Sequence, residues 1–174
     1  EHVVGVDVGG TTIKAALVDA GSGILMGQRF VADTPRPATP AAISECVAEI
    51  VRALAPTDAT PVGIALPAVV RRGVVETAAN IDPSWIGTDV HELFGRHLGG
   101  REISVLNDAD AAGIAEVAFG DPRAREGSAL FLTFGTGIGS ALLMDGRLFP
   151  NTELGHLKVG KQEAEEQASS AAKD

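Results

Sequence analysis

The sequence predicts an α/β fold, and three observations carry that expectation. Near the N-terminus, Val- and Ile-rich stretches are joined by very short glycine turns. Further on, short apolar strands alternate with segments of helical periodicity. Apolar residues make up 45% of the 174 residues, enough for a sizeable core, while aromatics make up only 4%, so that core is built mainly from Ala, Val, Ile and Leu.

Val3 to Val8 reads as a strand, Gly9-Gly10-Thr11-Thr12 as a turn, and Ile13 to Asp19 as a second strand. Gly21-Ser22-Gly23 is another turn, followed by a third strand from Ile24 to about Ala32. Connections this short make an antiparallel meander, because a parallel pair needs a long crossover. Thr39 is placed to N-cap a helix with Pro40 at its first position. Ile43, Val47, Ile50, Val51 and Leu54 then share one helical face, and Pro56 ends it. Val62 to Leu66 and Ile103 to Leu106 read as buried strands, Asp89 to Leu98 and Ala109 to Phe119 as helices. Strand–helix–strand adds an α/β layer to the meander. Asp121 to Gly127 is a polar connection. Beyond it come strands at 129–134 and 138–144 around a glycine turn, and from Lys158 onward the chain becomes polar and helix-prone.

Net charge is −9, which disfavours a nucleic-acid partner because phosphate backbones are bound by a surplus of Lys and Arg. Any phosphate must be held locally, by backbone N–H groups, a cation or a metal ion. The single Cys46 excludes an internal disulfide and a multi-Cys zinc site; its place on the apolar helix face predicts a buried free thiol. No run is long and apolar enough to cross a membrane, and the reading starts directly in a strand, so the expectation is a cytoplasmic protein with no membrane partner.

Four short motifs carry chemistry. In Asp7-Val8-Gly9-Gly10-Thr11-Thr12, with Lys14 beyond, the glycines permit close approach to a ligand and let successive N–H groups converge on an anion. Asp7 at the strand end is a candidate Mg²⁺ ligand. An ordinary glycine hairpin has the same appearance. Thr133-Phe134-Gly135-Thr136-Gly137-Ile138-Gly139-Ser140 is a second such turn. It continues as strand and lacks Gly-Lys-Ser/Thr, so it is neither a dinucleotide fingerprint nor a Walker loop. Asn107-Asp108 closes a buried strand and opens a helix, where a carboxylate can accept a hydroxyl proton during phosphoryl transfer; helix capping by Asp108 or Asp110 is the plain alternative. In Glu153-Leu154-Gly155-His156 a carboxylate and an imidazole can face one pocket and hydrogen-bond a polyol. A surface turn is the alternative there.

In type, order and spacing these motifs resemble the ROK family of sugar kinases. The stretches Asn107 to Glu116 and Pro150 to Leu157 are similar to its actinobacterial, polyphosphate-using glucokinase branch in particular. The resemblance implies the actin-like ATPase (ribonuclease H-like) fold, with a small lobe at 1–120 containing a mixed sheet and the N-terminal meander, a connection at 121–127, and the beginning of the large lobe at 128–174. It implies a glucokinase that phosphorylates the 6-hydroxyl of glucose, or of mannose, from polyphosphate or ATP with Mg²⁺. Asp108 would be the base. Asn80, Asn107, Glu153, His156 and Glu165 would bind the sugar. Gly9, Gly10, Thr11, Thr12, Lys14, Thr136 and Gly137 would hold donor phosphates, and Asp7 would organise Mg²⁺; Lys14 can instead pair with a neighbouring carboxylate. A homodimer through the large lobe is also implied.

The sequence departs from the family pattern in several places. Many members carry a Cys-rich zinc motif after Glu-x-Gly-His; here Leu157 to Gln162 contains no Cys, so no zinc site is expected, as in the polyphosphate-using branch. Thr12 and Ala15 stand where that branch often has glycine, and Ala68 replaces a usual glycine. The remainder of the large lobe lies outside this sequence. A sugar-responsive regulator of the same family would need a helix-turn-helix that is not seen before Val3, and a sugar-binding lobe without transferase activity is the other alternative.

Overall fold

The computed structural model describes residues 1–79, 81–135 and 137–169. β1 (His2–Val8) and β2 (Thr12–Asp19) pair antiparallel over their full length, from His2 opposite Asp19 to Val8 opposite Ile13. The expected third strand is instead two short ones, β3 (Ile24–Leu25) and β4 (Phe30–Asp33). Both use the same edge of β2, β3 at Val18–Asp19 and β4 at Thr12–Ala15. Gly27, with φ at 102°, turns the chain between them in a conformation that side-chain-bearing residues avoid.

α1 (Pro40–Leu54) begins as its sequence predicts. Thr39 Oγ1 accepts the N–H of Ala42 at 3.3 Å, and Pro40 occupies the first turn. Ile43, Val47, Ile50 and Val51 are buried along one face; Cys46, expected to be buried, sits at the margin of that face and is half-buried. β5 (Val62–Leu66) then enters parallel to β1, pairing Val4 with Val62 and Asp7 with Ala65. A small ribbon follows, β6 (Val70–Arg71) against β7 (Val74–Val75). α2 (Val90–Leu98) is capped by Asp89, whose Oδ1 accepts from His91 and Glu92 N–H, each at 2.9 Å. β8 (Ile103–Asn107) pairs parallel with β5, Ala65 opposite Leu106.

The sheet therefore runs β3-β2-β1-β5-β8, with β4 also on β2. It is mixed: antiparallel at the meander and parallel where α1 and α2 supply the crossovers. Its core is aliphatic, as the composition requires, and Trp85 and Phe94 add the two largest buried side chains. Their ring centroids are 6.4 Å apart, and Trp85 Nε1 donates to the carbonyl of Ala38 at 2.9 Å, so the buried indole is satisfied.

The chain divides into two compact units, Glu1–Asp108 and Ala109–Asp174, at the head of α3 (Asp108–Phe119). In the second unit β9 (Ser128–Phe134) and β10 (Ile138–Met144) form the expected hairpin, in register from Ser128 opposite Met144 to Phe134 opposite Ile138. β11 (Arg147–Phe149) adds a third strand. Ala141 and Leu143 are buried on one side, whereas Leu130, Leu132 and Phe134 stay exposed on β9. The stretch from Lys158 onward is not simply helical: β12 (Lys158–Val159) and β13 (Gln162–Glu163) form a tight hairpin around Gly160, and only then does α4 (Ala164–Ala168) begin. No described helix is long and apolar enough to cross a membrane.

Because Phe94 is fully buried against Trp85, Phe94→Ala is expected to cost about 3–5 kcal/mol of stability. Urea unfolding followed by the fluorescence of Trp85, the single tryptophan, measures it.

Candidate active site

The first glycine turn is held from behind. Gly9 N–H donates to the carbonyl of Thr12 at 3.0 Å, closing the turn, and a Cβ at Gly9 would stand 2.7 Å from that same oxygen, so only glycine fits. Thr34, buried just after β4, donates its hydroxyl to the carbonyl of Gly9 at 2.6 Å and its N–H to the carbonyl of Thr11 at 2.9 Å. Three carbonyl oxygens of the turn are thus bound by protein donors. Thr34 was legible in the sequence only as the start of a Pro-containing break; its role comes from β4 returning along β2, which no local pattern announces.

Asp7 and Lys14 are exposed cross-strand partners on β1 and β2. Gly10 and Thr11 are exposed in the turn, and Thr12, half-buried, starts β2. Asn107 is buried at the end of β8 and its Nδ2 donates to the carbonyl of Ala68 at 3.3 Å. Asp108 follows, exposed, as the first residue of α3. Strand register puts these pieces on one edge of the sheet: Asp7 is level with Ala65, and Ala65 with Leu106. The glycine turn after β1 and Asp108 after β8 therefore leave the C-terminal ends of parallel strands two positions apart, about 10 Å across the sheet. That is the edge where open α/β sheets hold ligands. Asn80 and Thr136 lie outside the described residues.

In the second unit the segment after β11 is tied to β10 and α3. Ser140 Oγ accepts the N–H of Leu154 at 2.8 Å and lies 3.1 Å from the hydroxyl of Thr152, which also reaches the Ser140 carbonyl at 3.1 Å. Asp110 Oδ2 accepts the N–H of Asn151 at 2.8 Å. Asp110 is almost wholly buried, and burial raises its carboxyl pKa, the Asn151 bond opposing the shift. These contacts hold Asn151 and Glu153 at φ of 57° and 46°, in the left-handed region that residues with side chains seldom occupy. Gly155 is pressed so close to β10 that a Cβ would meet the Ile138 carbonyl at 2.3 Å.

The result is a cluster around His156. Its Nδ1 lies 2.7 Å from Glu163 Oε2 and 3.6 Å from Glu165 Oε1, and its Nε2 lies 3.4 Å from Glu153 Oε2. Glu165 Oε2 also accepts the N–H of Ile138, at 3.3 Å, beside Gly137. The ring and the carboxylates of Glu163 and Glu165 fall within 4.8 Å of one another, so one positive charge among them is felt by all three. The Glu163 hydrogen bond raises the imidazole pKa above its ordinary value, against the effect of partial burial and helped by the charges of Glu165 and Glu153. Glu153 and His156, grouped by their motif, and Glu165, named through the family resemblance, thus lie together. Glu163 joins them unannounced; a Glu-Ala-Glu-Glu run reads as a solvated helix start, and only the β12–β13 hairpin turns it inward.

The ROK family sequence profile matches residues 3–169. The chain belongs to the ROK family. Polyphosphate glucokinases of Mycobacterium tuberculosis are 50% identical to this ROK chain over 173 residues, which is 99% of the chain and 64% of the relative. The chain thus spans a little under two thirds of the length of these relatives. Among solved structures, the inorganic polyphosphate/ATP-glucomannokinase of Arthrobacter sp. strain KM superposes with a TM-score of 0.92 at 46% identity, covering 99% of this chain and 70% of that one. A ROK family glucokinase of Streptomyces griseus in complex with glucose and AMPPNP gives a TM-score of 0.85 at 28% identity, covering 99% and 58%. The fold is accordingly the actin-like ATPase fold, with the mixed sheet and N-terminal meander read from the sequence.

Two outcomes are expected here. Thr34→Val removes the hydroxyl bound to the turn and lowers stability by about 1 kcal/mol, read from the urea midpoint. For His156, a raised folded-state pKa means that the imidazolium contributes stability below the ordinary His value of about 6.5 and that this contribution fades as pH rises through the folded pKa. An NMR titration should place its midpoint above that of a free imidazole. Glu163→Gln should lower the midpoint, and the stability gap between the two proteins should shrink as pH passes it.

Proposed function

We propose that the protein carrying this chain transfers a phosphoryl group from polyphosphate or ATP to the 6-hydroxyl of glucose, or of a related hexose such as mannose. The observation that carries the reading is the strand register that sets the glycine turn of Gly9–Thr12 and the exposed carboxylate of Asp108 on one sheet edge. The names of the mycobacterial and Arthrobacter relatives supply the donors and the sugars.

In this reading Asp108 accepts the O6 proton as O6 attacks the terminal phosphorus and the bond to the leaving phosphate oxygen breaks. Asn80, Asn107, Glu153, His156 and Glu165 bind the hexose hydroxyls. A carboxylate accepts from two hydroxyls at once, and such charge-assisted bonds discriminate strongly against a ligand lacking them. Gly9, Gly10, Thr11, Thr12, Lys14, Thr136 and Gly137 bind the donor phosphates through N–H, hydroxyl and ammonium groups. Asp7 suits Mg²⁺, a hard cation that commonly takes one protein carboxylate and completes its shell with water and phosphate oxygens. The ion, when bound, neutralises charge developing on the donor; Asp7 and Lys14, as cross-strand neighbours, keep the turn's own field balanced.

Asp108→Asn is expected to lower kcat by ~10²–10⁴-fold with little change in glucose KM. Coupled glucose 6-phosphate production, run with polyphosphate and with ATP, measures it. A kcat near that of the parent with both donors would remove Asp108 from the role of base.

A further inference from the structure

Glu163 is assigned above neither to the hexose nor to the donor, yet it makes the shortest contact to the His156 ring among the described residues, 2.7 Å from Oε2 to Nδ1. An ionised carboxylate can only accept, so the proton in that bond belongs to Nδ1. The backbone brings Glu163 there deliberately. β12 and β13 pair Lys158 with Glu163 and Val159 with Gln162. Ala164 N–H donates to the carbonyl of Leu157 at 2.9 Å, next to His156. The N–H of Glu163 is held by Glu166 Oε2 at 3.1 Å, and Gln167 Nε2 holds the Val159 carbonyl at 2.8 Å. The carboxylate is therefore delivered by a hairpin fixed at both ends. Glu165 does not duplicate it: its Oε2 is bound to Ile138 N–H, and its Oε1 stands 3.6 Å from the ring.

We infer that Glu163 is a positioning residue for sugar recognition, which fixes the plane of the His156 ring and keeps a proton on Nδ1, so that Nε2 is the atom presented to a hexose hydroxyl. The inference deepens the reading of His156 as a hexose-binding group and rests on it. The physical logic is that of an outer-shell carboxylate behind a ligand-binding imidazole: the bond on one nitrogen decides what the other offers. A ring released from Glu163 can turn about its side-chain bonds and exchange tautomers. Both changes weaken the hexose complex and the transition state to a similar extent, which raises KM and spares kcat.

Two variants test this in the protein that carries the chain. Glu163→Ala should raise glucose KM by ~10–100-fold, the usual scale for losing such a partner, with kcat nearly unchanged. Glu163→Gln keeps an acceptor oxygen and should restore KM to near the parent value. ¹⁵N NMR of labelled histidine, above the imidazole titration, should show Nδ1 protonated in the parent and in Glu163→Gln, and a shift toward Nε2 protonation in Glu163→Ala. Retention by Glu163→Ala of either the parent's KM or its ¹⁵N pattern overturns the inference. The underlying reading fails separately: it falls if His156→Ala leaves glucose KM unchanged, whereas a KM rise in His156→Ala without one in Glu163→Ala removes only the positioning role.

Discussion

The parallel register of β1, β5 and β8 is the constraint on which the first unit depends. Parallel strands require crossovers, and α1 and α2 provide them while covering the sheet with Ile43, Val47, Ile50, Val51 and Phe94. Once Asp7 is level with Ala65 and Ala65 with Leu106, the places where β1 and β8 end are no longer independent. A one-residue slip of β8 would turn Val105 out of the core and Asn107 away from the Ala68 carbonyl. The apolar pattern thus sets the register, and the register sets where the polar residues emerge.

The second unit achieves order differently. Its three strands give β10 a buried side at Ala141 and Leu143, but the segment that carries Glu153 and His156 has little regular structure. Hydrogen bonds that its Asn151 and Leu154 N–H groups and its Thr152 hydroxyl donate to Asp110 and Ser140 hold it, strongly enough to keep Asn151 and Glu153 in a backbone region costing of order 1–3 kcal/mol each. Such strain persists only where the surroundings over-determine the conformation. Its occurrence at Glu153, beside the imidazole cluster, accords with a segment shaped for its side chains and not for its own backbone comfort.

Much of this was legible in the amino-acid sequence wherever the cause is local. Thr39-Pro40 announces α1, the glycine turns announce the β1–β2 and β9–β10 hairpins, and alternating apolar residues announce β5 and β8. The misread segments are those governed by distant partners. β3 and β4 looked like one strand because nothing in Ile24 to Ala32 shows that both ends of β2 would be paired separately. Lys158 to Glu163 looked helical because the pairing of two-residue strands leaves almost no periodic trace. At the site, spacing groups the residues of the four motifs, and the family resemblance added Asn80 and Glu165. Thr34 and Glu163 could not be named, since each acts through a hydrogen bond to a residue far off in sequence or reached only by a turn.

The two ways of holding functional groups have different consequences for change. Asp7 is fixed by main-chain pairing, and the Gly9–Thr12 turn and Asp108 directly follow paired strands, so moving them means moving strands whose side chains are buried. Glu153, His156 and Glu165 are fixed by side-chain bonds, which single substitutions can retune without disturbing a core. A phosphoryl transferase needs its donor loop and base placed to within fractions of an ångström, whereas recognition of a polyol tolerates graded adjustment of hydrogen bonds. In the proposed reading, rigid backbone thus lies under the donor loop and base, and adjustable side chains under the hexose-binding groups.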